Sequence, residues 1–153
     1  MSMKADAWLH QQILEQAQEA IVVSDRDGMI RLWNRGAEAM FGYPAGEAVG
    51  KSLDIIIPER FREQHWEGYH KVLETGVTRY GTELLAVPGI RKDGERISLE
   101  FSISILSDEA GERMGFAAIL RDVTERWKEQ KALRERLADL EAKAGDLANP
   151  PAE

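Results

Sequence analysis

The sequence predicts one mixed domain of helices and strands, in which two strands follow a first helix and three strands precede a last one. An Asp-Gly step at Asp27-Gly28 separates two β-prone runs, which is a strong signal for a β-hairpin. The run from Ile97 to Ile105 alternates apolar and polar side chains without a fault, as a strand with one buried face does. Near the carboxyl end, leucines recur at coiled-coil spacing.

The composition limits the class of protein. The 153 residues carry 20 Lys and Arg against 27 Asp and Glu, a net charge of −7, and 43% of them are hydrophobic. These values suit one domain with a proper core, and the acidic balance argues against a nucleic-acid binder. The absence of cysteine excludes disulfides, thiolate metal sites and cysteine nucleophiles. Because no apolar window reaches membrane-spanning length and no signal segment is recognisable, we expect a cytoplasmic protein with neither nucleic-acid nor membrane partners.

The first third of the chain is predicted to contain a helix, a hairpin and short helical pieces. Residues 1–19 form a flanking helix, because apolar side chains recur there at helical spacing: Trp8, Leu9, Ile13, Leu14 and Ala17. The β-branched run that begins at Ala20 pairs across Asp27-Gly28 with the run from Met29 to Trp33. Between Gly36 and Gly50, glycine and proline interrupt the chain so often that only single-turn helices fit.

A longer helix is predicted from Pro58 to Gly76, because proline favours a first helical position and glycine the position just past the end. Phe61 and Tyr69 belong to its apolar stripe, and steps of four from Phe61 pass through His65. We therefore expect the His65 side chain on the inward side of this helix, whereas Lys71 falls on the solvated side.

Three β-prone segments follow this helix. The first runs from Arg79 to Val87 and is expected to end at Pro88-Gly89. A second turn at Asp93-Gly94 leads into the alternating strand from Ile97 to Ile105. The last strand is predicted from Met114 to Leu120.

Residues 122–148 are predicted to form a helix with an apolar seam: Leu133, Leu137, Leu140, Ala144 and Leu147. A free helix with so short a seam is marginal in water, so it needs the domain surface or a second copy of the chain. We expect a homodimer, or a helix that passes a signal to a downstream protein. The predicted organisation is thus a flanking helix over 1–19, a domain over 20–121, this helix over 122–148 and a tail over 149–153.

Several stretches resemble the PAS family of sensory modules. They are Gly28–Asn34, Glu38–Tyr43, Glu47–Gly50, Arg91–Gly94 and Arg121–Arg126. The resemblance covers roughly residues 12–127. It implies an α+β fold in which short helices lie over one face of a five-stranded antiparallel sheet and enclose a hollow of ligand size. Because the family mostly binds small molecules or partner proteins and commonly dimerises through flanking helices, the resemblance implies a role in signal transduction.

Within the family, the run Ile57–His65 resembles the haem-binding PAS domains of FixL-type oxygen sensors and RcoM-type carbon monoxide sensors. In those domains a histidine at this place is the proximal ligand of haem iron, so the resemblance implies that His65 is the metal ligand of a b-type haem. Lys71 and Arg79 fall where such domains keep polar or basic groups against the haem propionates.

The resemblance also implies which residues would form the distal side of the haem pocket. Phe101 and Ile103 fall on the sheet face that makes its wall, with Tyr80 nearby. Leu85 occupies the slot of the distal arginine or cysteine of those sensors, and Glu95 lies near a second distal position. Since neither distal group carries over, we expect five-coordinate iron in an apolar pocket that favours carbon monoxide or nitric oxide over oxygen.

Other interpretations of the same residues stay open. His65 could instead cap the core by a hydrogen bond to a backbone carbonyl. The alternative function is a ligand-free PAS module for interaction and dimerisation, whose hollow is filled by aromatic side chains: Trp33, Phe41, Tyr80 and Phe101. An enzyme with His65 as base lacks a second catalytic group, so we expect no enzyme. The predicted function is a sensory module that binds haem and senses carbon monoxide, nitric oxide or oxygen.

Overall fold

The structure is a computed structural model that describes residues 2–78 and 85–148, with only the backbone described at Leu85. Two short 3₁₀ turns, Leu53–Ile56 and Glu59–Phe61, lie before the helix Arg62–Thr75 of the first compact unit. That unit ends at Asp122, and a second begins at Val123. The elements in chain order are α1 (Met3–Gln16), β1 (Ala20–Asp25), β2 (Ile30–Trp33), α2 (Arg35–Phe41), α3 (Ala45–Ala48), α4 (Arg62–Thr75), β3 (Leu85–Ile90), β4 (Arg96–Ser107), β5 (Arg113–Asp122) and α5 (Thr124–Ala148).

The five strands form one antiparallel sheet in the order β2-β1-β5-β4-β3. The first strand therefore lies in the interior of the sheet, where it pairs with β2 on one side and with β5 on the other. Ala20 lies opposite Leu120 in the β1–β5 pair, and Phe101 lies opposite Leu120 in the β4–β5 pair. The α+β fold with a five-stranded antiparallel sheet is thus confirmed.

The core forms where α2, α3, α4 and the first 3₁₀ turn meet the sheet. Helices and turn contribute Ala37, Phe41, Ala48, Leu53, Ile56, Tyr69 and Leu73. The strands contribute Ala20, Val22, Ile30, Trp33, Ile97, Leu99, Phe116 and Leu120. Burial of this apolar surface is the main favourable term that holds the helices against the sheet.

The period-two pattern predicted for the fourth strand is present. Ile97 and Leu99 are buried, and Phe101, Ile103 and Ile105 are half-buried and pack against the core. Burial therefore decreases along β4 towards its carboxyl end, although the same side chains keep facing the core.

Two predicted boundaries differ from the structure. The expectation that a strand ends at Pro88-Gly89 is wrong, because β3 runs on to Ile90 with Pro88 opposite Ser98. Proline is tolerated there because β3 lies at the edge of the described sheet, where one side of the strand needs no ladder hydrogen bonds. The long helix begins at Arg62 after a 3₁₀ turn, not at Pro58, and it ends at Gly76 in the left-handed region (φ +70°) as predicted.

The second unit contains α5, which is exposed along its length. Every residue from 125 to 148 is exposed. Among the described residues, no helix combines the length and the apolar character that crossing a membrane requires.

Candidate ligand site

His65 lies on the side of α4 that carries the buried residues Tyr69 and Leu73, one helical turn before Tyr69. Its imidazole is half-buried. The Nδ1 atom is shielded from solvent and has no hydrogen-bond partner in the described part of the chain. A buried polar atom without a partner is uncommon and costs free energy, so this nitrogen is a candidate contact for a bound group.

The electrostatic surroundings favour a neutral His65. Burial lowers the pKa of its imidazole below the ordinary value of 6.5. The negative charge of Asp54 opposes this change, and the neighbouring His70 adds to it. A neutral imidazole keeps a nitrogen lone pair, which is what a hydrogen-bond donor or an iron atom requires.

Two aromatic rings on α4 contact the imidazole of His65. The ring centroid of Trp66 is 4.7 Å away in an edge-on arrangement, and that of Tyr69 is 5.7 Å away. The indole N–H of Trp66 donates to the Asp54 carboxylate at 2.8 Å. We call His65, Trp66 and Tyr69 the α4 aromatic cluster.

Trp66 fixes this cluster against the β1–β2 hairpin at Gly28. The Gly28 backbone has φ +76°, and a Cβ atom at this position would lie 2.1 Å from the Cη2 atom of Trp66. Only glycine meets both conditions without strain, since it tolerates positive φ and has no side chain. The turn that the sequence predicted at Asp27-Gly28 is therefore also the surface on which the indole rests.

Tyr69 ties the cluster to the first strand. Its hydroxyl donates to the backbone oxygen of Asp25 and lies 2.9 Å from the Ser24 hydroxyl, which must then be the donor in that second bond. The Tyr69 ring packs edge-on against Phe116 with 4.7 Å between centroids. Burial raises the pKa of Tyr69, so it stays a neutral hydrogen-bonding group. This network was missed by sequence reasoning, which used Tyr69 only as an apolar position of the helix.

The other residues implied by the family resemblance lie on β4, on α4 and on β3, or outside the described residues. Phe101 and Ile103 are half-buried on β4 and pack against the core, and Lys71 is exposed on α4. Leu85 begins β3, with its backbone opposite Phe101. Arg79 and Tyr80, which the resemblance placed at the propionates and near the distal wall, lie outside the described residues.

Two clefts open on the surface of the first unit. One, of about 520 Å³, lies between the end of α4 and the β4–β5 loop and is bounded by Arg26, Leu73, Glu74, Gly111, Glu112 and Arg113. The other, of about 410 Å³, lies beside the end of α2 and is bounded by Phe41, Gly42, Arg91, Lys92 and Asp93. Neither cleft includes His65, Phe101 or Ile103.

The donor set in this region fits one kind of metal group. Among the described residues, no cluster of three or more His, Cys, Asp or Glu side chains could hold a metal ion. A haem needs fewer ligands from the protein, because the porphyrin supplies four nitrogens and one axial imidazole is enough. His65, neutral and with a buried nitrogen lacking a partner, fits that single role.

Comparison with known families and sequences gives a consistent result. A family profile described as the PAS fold matches residues 14–128. The chain is 29% identical over 136 residues to the sensor protein FixL of Bradyrhizobium diazoefficiens, a match that covers 84% of this chain and 25% of that protein. It is 32% identical over 116 residues to the cell-division control histidine kinase PdhS of Brucella ovis, covering 76% of this chain and 11% of the kinase. The chain thus spans a quarter or less of these two relatives.

Solved structures support the fold. The PAS domain of a protein from Colwellia psychrerythraea superposes with a TM-score of 0.69 at 23% identity, over 78% of this chain and 98% of that one. An RNA-binding light-oxygen-voltage receptor superposes with a TM-score of 0.73 at 22% identity, over 95% of this chain and 40% of that one. At such identities the likeness concerns the fold alone.

Proposed function

The chain belongs to the PAS family, and from this premise we propose that it is the sensory module of a signalling protein and binds b-type haem through His65. The similarity to FixL and to the histidine kinase PdhS supports a role in signal transduction. The proposed signal is a diatomic gas: carbon monoxide, nitric oxide or oxygen. The module acts by binding and not as an enzyme.

The observation that carries the haem proposal is the state of His65. Its Nδ1 atom is buried without a partner among the described residues, and burial lowers its pKa. The alternative that this nitrogen caps the core would need a backbone carbonyl next to it, and no described carbonyl accepts a bond from it. A buried nitrogen without a partner costs free energy, and a bound group that contacts the ring and reorganises its surroundings would remove this cost.

The remaining residues take supporting roles in the proposal. Haem supplies an iron centre at which a diatomic gas can bind. Phe101 and Ile103 on β4 exclude water from the distal side. The family resemblance assigns Lys71 and Arg79 to the propionates and Tyr80 to the distal side of the proposed pocket. Because Leu85 offers no hydrogen bond to a polarised gas, the proposed site prefers carbon monoxide or nitric oxide to oxygen.

Haemin titration of the purified chain tests this proposal. We expect a Soret band that saturates at one equivalent, is lost in His65→Ala and is kept in His70→Ala, an exposed histidine on the same helix. The Soret band of the reduced protein should shift with carbon monoxide. The proposal fails if haemin is not taken up or if both variants retain the same spectrum. A reduced protein that is six-coordinate without gas would contradict the open, five-coordinate site.

The second candidate function is a ligand-free interaction module. Trp33 and Phe41 are buried with ring centroids 5.4 Å apart, and neither described cleft reaches His65. These contacts favour an interior filled by the protein's own aromatic side chains. A folded chain that is colourless as purified and takes up no added haemin would support this candidate over the first.

In either case, we propose that the chain works as a homodimer and passes its signal through α5. The exposed leucines of α5 support this assignment, because an apolar stripe on a long helix needs a partner surface. The downstream partner is a signalling protein or domain.

A further inference from the structure

The cleft beside the end of α2 is bounded by a charged side chain with an unsatisfied donor. This cleft, of about 410 Å³, lies between Phe41, Gly42, Arg91, Lys92 and Asp93, and we call it the Arg91 cleft. The Nε atom of Arg91 is shielded from solvent and has no hydrogen-bond partner in the described part of the chain. Because a guanidinium stays protonated at every ordinary pH, it cannot reduce the cost of burial by losing its proton. A bound acceptor would reduce that cost.

The other cleft of the first unit also contains arginines, but their donors are engaged. Arg113 donates to the carbonyls of Leu73 and Glu74, and Arg26 donates to the backbone carbonyl of Arg113. Among the described residues, neither of these two arginines has a buried side-chain nitrogen without a partner. Of the two clefts, the Arg91 cleft is therefore the one that offers an unsatisfied cationic donor.

We propose that the Arg91 cleft is a second ligand site, which binds a small organic acid through a carboxylate on Arg91. The two oxygens of a carboxylate match the planar fork of a guanidinium and accept parallel hydrogen bonds from it. Small-molecule pockets span about 300–1,000 Å³, and this cleft lies at the lower end of that range, which suits a compact acid. The inference goes beyond the proposed function, since the cleft includes neither His65 nor Phe101 and Ile103.

The charges at the cleft favour one carboxylate over a phosphate. Two bounding side chains are positive, Arg91 and Lys92, and one is negative, Asp93. Lys92 is already engaged, because its Nζ atom donates to Glu47 at 2.7 Å and lies 5.7 Å from the Tyr43 ring centroid. Arg91 is thus the cation left for an anion, and a single negative charge matches it. A phosphate dianion would place a second negative charge near Asp93, which repels it.

Backbone hydrogen bonds hold the walls of the cleft together. The turn between β3 and β4 closes through the amide of Arg91, which donates to the carbonyl of Glu95 at 2.9 Å. The amide of Lys92 donates to the carbonyl of Phe41 at 2.8 Å and so fixes this turn against the end of α2. Because these contacts form within the chain itself, little ordering is left for the ligand to bring about.

NMR of the arginine side chains tests the site in the full chain without haemin. The Nε–H group of Arg91 should give a resolved ¹H–¹⁵N signal, since it is shielded from solvent, and Arg91→Lys identifies this signal by its loss. The probes are acetate, butyrate and benzoate at constant ionic strength, with benzamide as an uncharged control of similar shape to benzoate. We expect a saturable shift of the signal with at least one acid, with a dissociation constant on the order of 1 mM, and none with benzamide.

Substitution of the arginine tests whether the guanidinium is the binding group. Arg91→Gln should weaken binding of the acid by at least about tenfold, followed on the backbone amides of the turn. Arg91→Lys keeps the charge without the fork and should also weaken binding, which provides a second variant if Arg91→Gln does not fold. Arg96→Gln is the matched control, an exposed arginine at the start of β4, and should leave the dissociation constant unchanged.

Substitution of the acidic residue tests the preference for a carboxylate. Asp93→Asn keeps a side-chain oxygen that can accept from the amide of Glu95, a bond of 2.9 Å, but it removes the negative charge. Inorganic phosphate should bind the wild type more weakly than the acids do, and Asp93→Asn should raise its affinity by about threefold.

The outcomes are separate from those of the haem experiment. Saturable binding that requires both Arg91 and a carboxylate supports the inference. It is overturned by the absence of a saturable shift with all three acids, by equal shifts with benzoate and benzamide, or by full binding in a folded Arg91→Gln or Arg91→Lys chain. Phosphate that binds the wild type more tightly than every acid overturns the carboxylate assignment. Failure of this site leaves the proposed haem site standing, because no step of the measurement uses haem.

Discussion

At the scale of single residues, the candidate site depends on how the α4 aromatic cluster meets the β1–β2 turn. Trp66 contacts Gly28, a turn position where an added side chain would be strained and would clash with the indole, and the indole is held by Asp54. Tyr69 is held by Ser24 and by the Asp25 backbone. The imidazole of His65 lies beside both rings, and both rings are fixed by contacts that do not involve His65.

Gly28→Ala should destabilise the fold by about 2–4 kcal/mol, because it combines a strained positive φ with a steric clash against Trp66. Urea unfolding measures this free energy. Gly50→Ala is the matched control, since Gly50 has φ +89° but no atom within 4 Å of the added Cβ. We expect the control to cost about 1 kcal/mol. Equal losses for the two variants would show that the contact with Trp66 does not constrain the turn.

The lowered pKa of His65 gives stability a specific pH dependence. Because the folded state binds this proton less readily than the unfolded state, the contribution of His65 is complete above the ordinary pKa of 6.5 and is lost as the pH falls from there through the folded pKa. The free energy of unfolding of the apoprotein should therefore decrease on acidification below pH 6.5. His65→Gln should flatten this dependence, whereas His70→Ala, which removes only a smaller contribution to the lowered pKa, should leave most of it. An unchanged slope in His65→Gln would contradict the assignment.

At the scale of elements, one arginine joins the end of α4 to the start of β5. The guanidinium of Arg113, at the start of β5, donates from Nη1 to the carbonyls of Leu73 and Glu74 at 3.0 and 3.1 Å. It also lies against Gly76, where a Cβ atom would be only 2.3 Å from the guanidinium. A cation at a helix carboxyl end satisfies carbonyls that the helix leaves unpaired.

Arg113→Ala should therefore fray the last turn of α4 and cost about 1.5–3 kcal/mol, the range for hydrogen bonds to a charged group. Hydrogen exchange should accelerate at the amide of Gly76, which bonds to Val72, and much less at strand amides. Arg96→Ala, an exposed arginine at the start of β4, is the control and should stay within about 0.5 kcal/mol of wild type. Unchanged exchange at Gly76 in Arg113→Ala would refute this role for the arginine.

Elements with local signals could be predicted from the sequence, and contacts across the chain could not. The hairpin at Asp27-Gly28, the alternation along β4 and the end of α4 at Gly76 each depend on neighbouring residues, and all three are present. The contact of Trp66 with Gly28 joins residues that nothing in the local pattern connects. The strand was wrongly predicted to end at Pro88, because a proline is tolerated within β3 only if β3 lies at a sheet edge, and only the topology determines that.

At the scale of the whole molecule, the PAS fold and the family were predictable because turn residues, period-two strands and short motifs agreed with one another. The ligand was not, because it depends on space near His65 and on residues such as Arg79 and Tyr80 that lie outside the described part. Two units serve two tasks in the proposed account. The first carries the candidate ligand site, and α5 of the second carries the surface for a partner.

The most direct test of haem binding through His65 is NMR of the imidazole rings in protein labelled with ¹⁵N-histidine. Spectra are recorded before and after one equivalent of haemin and after reduction under carbon monoxide. The chain has three histidines, His10, His65 and His70, so the ring signals can be assigned by single substitutions. Haem binding through the α4 cluster predicts that the His65 ring signals move strongly while those of His10 and His70 stay in place. Movement of His10 or His70 instead, or no change in any ring, would contradict the proposed site.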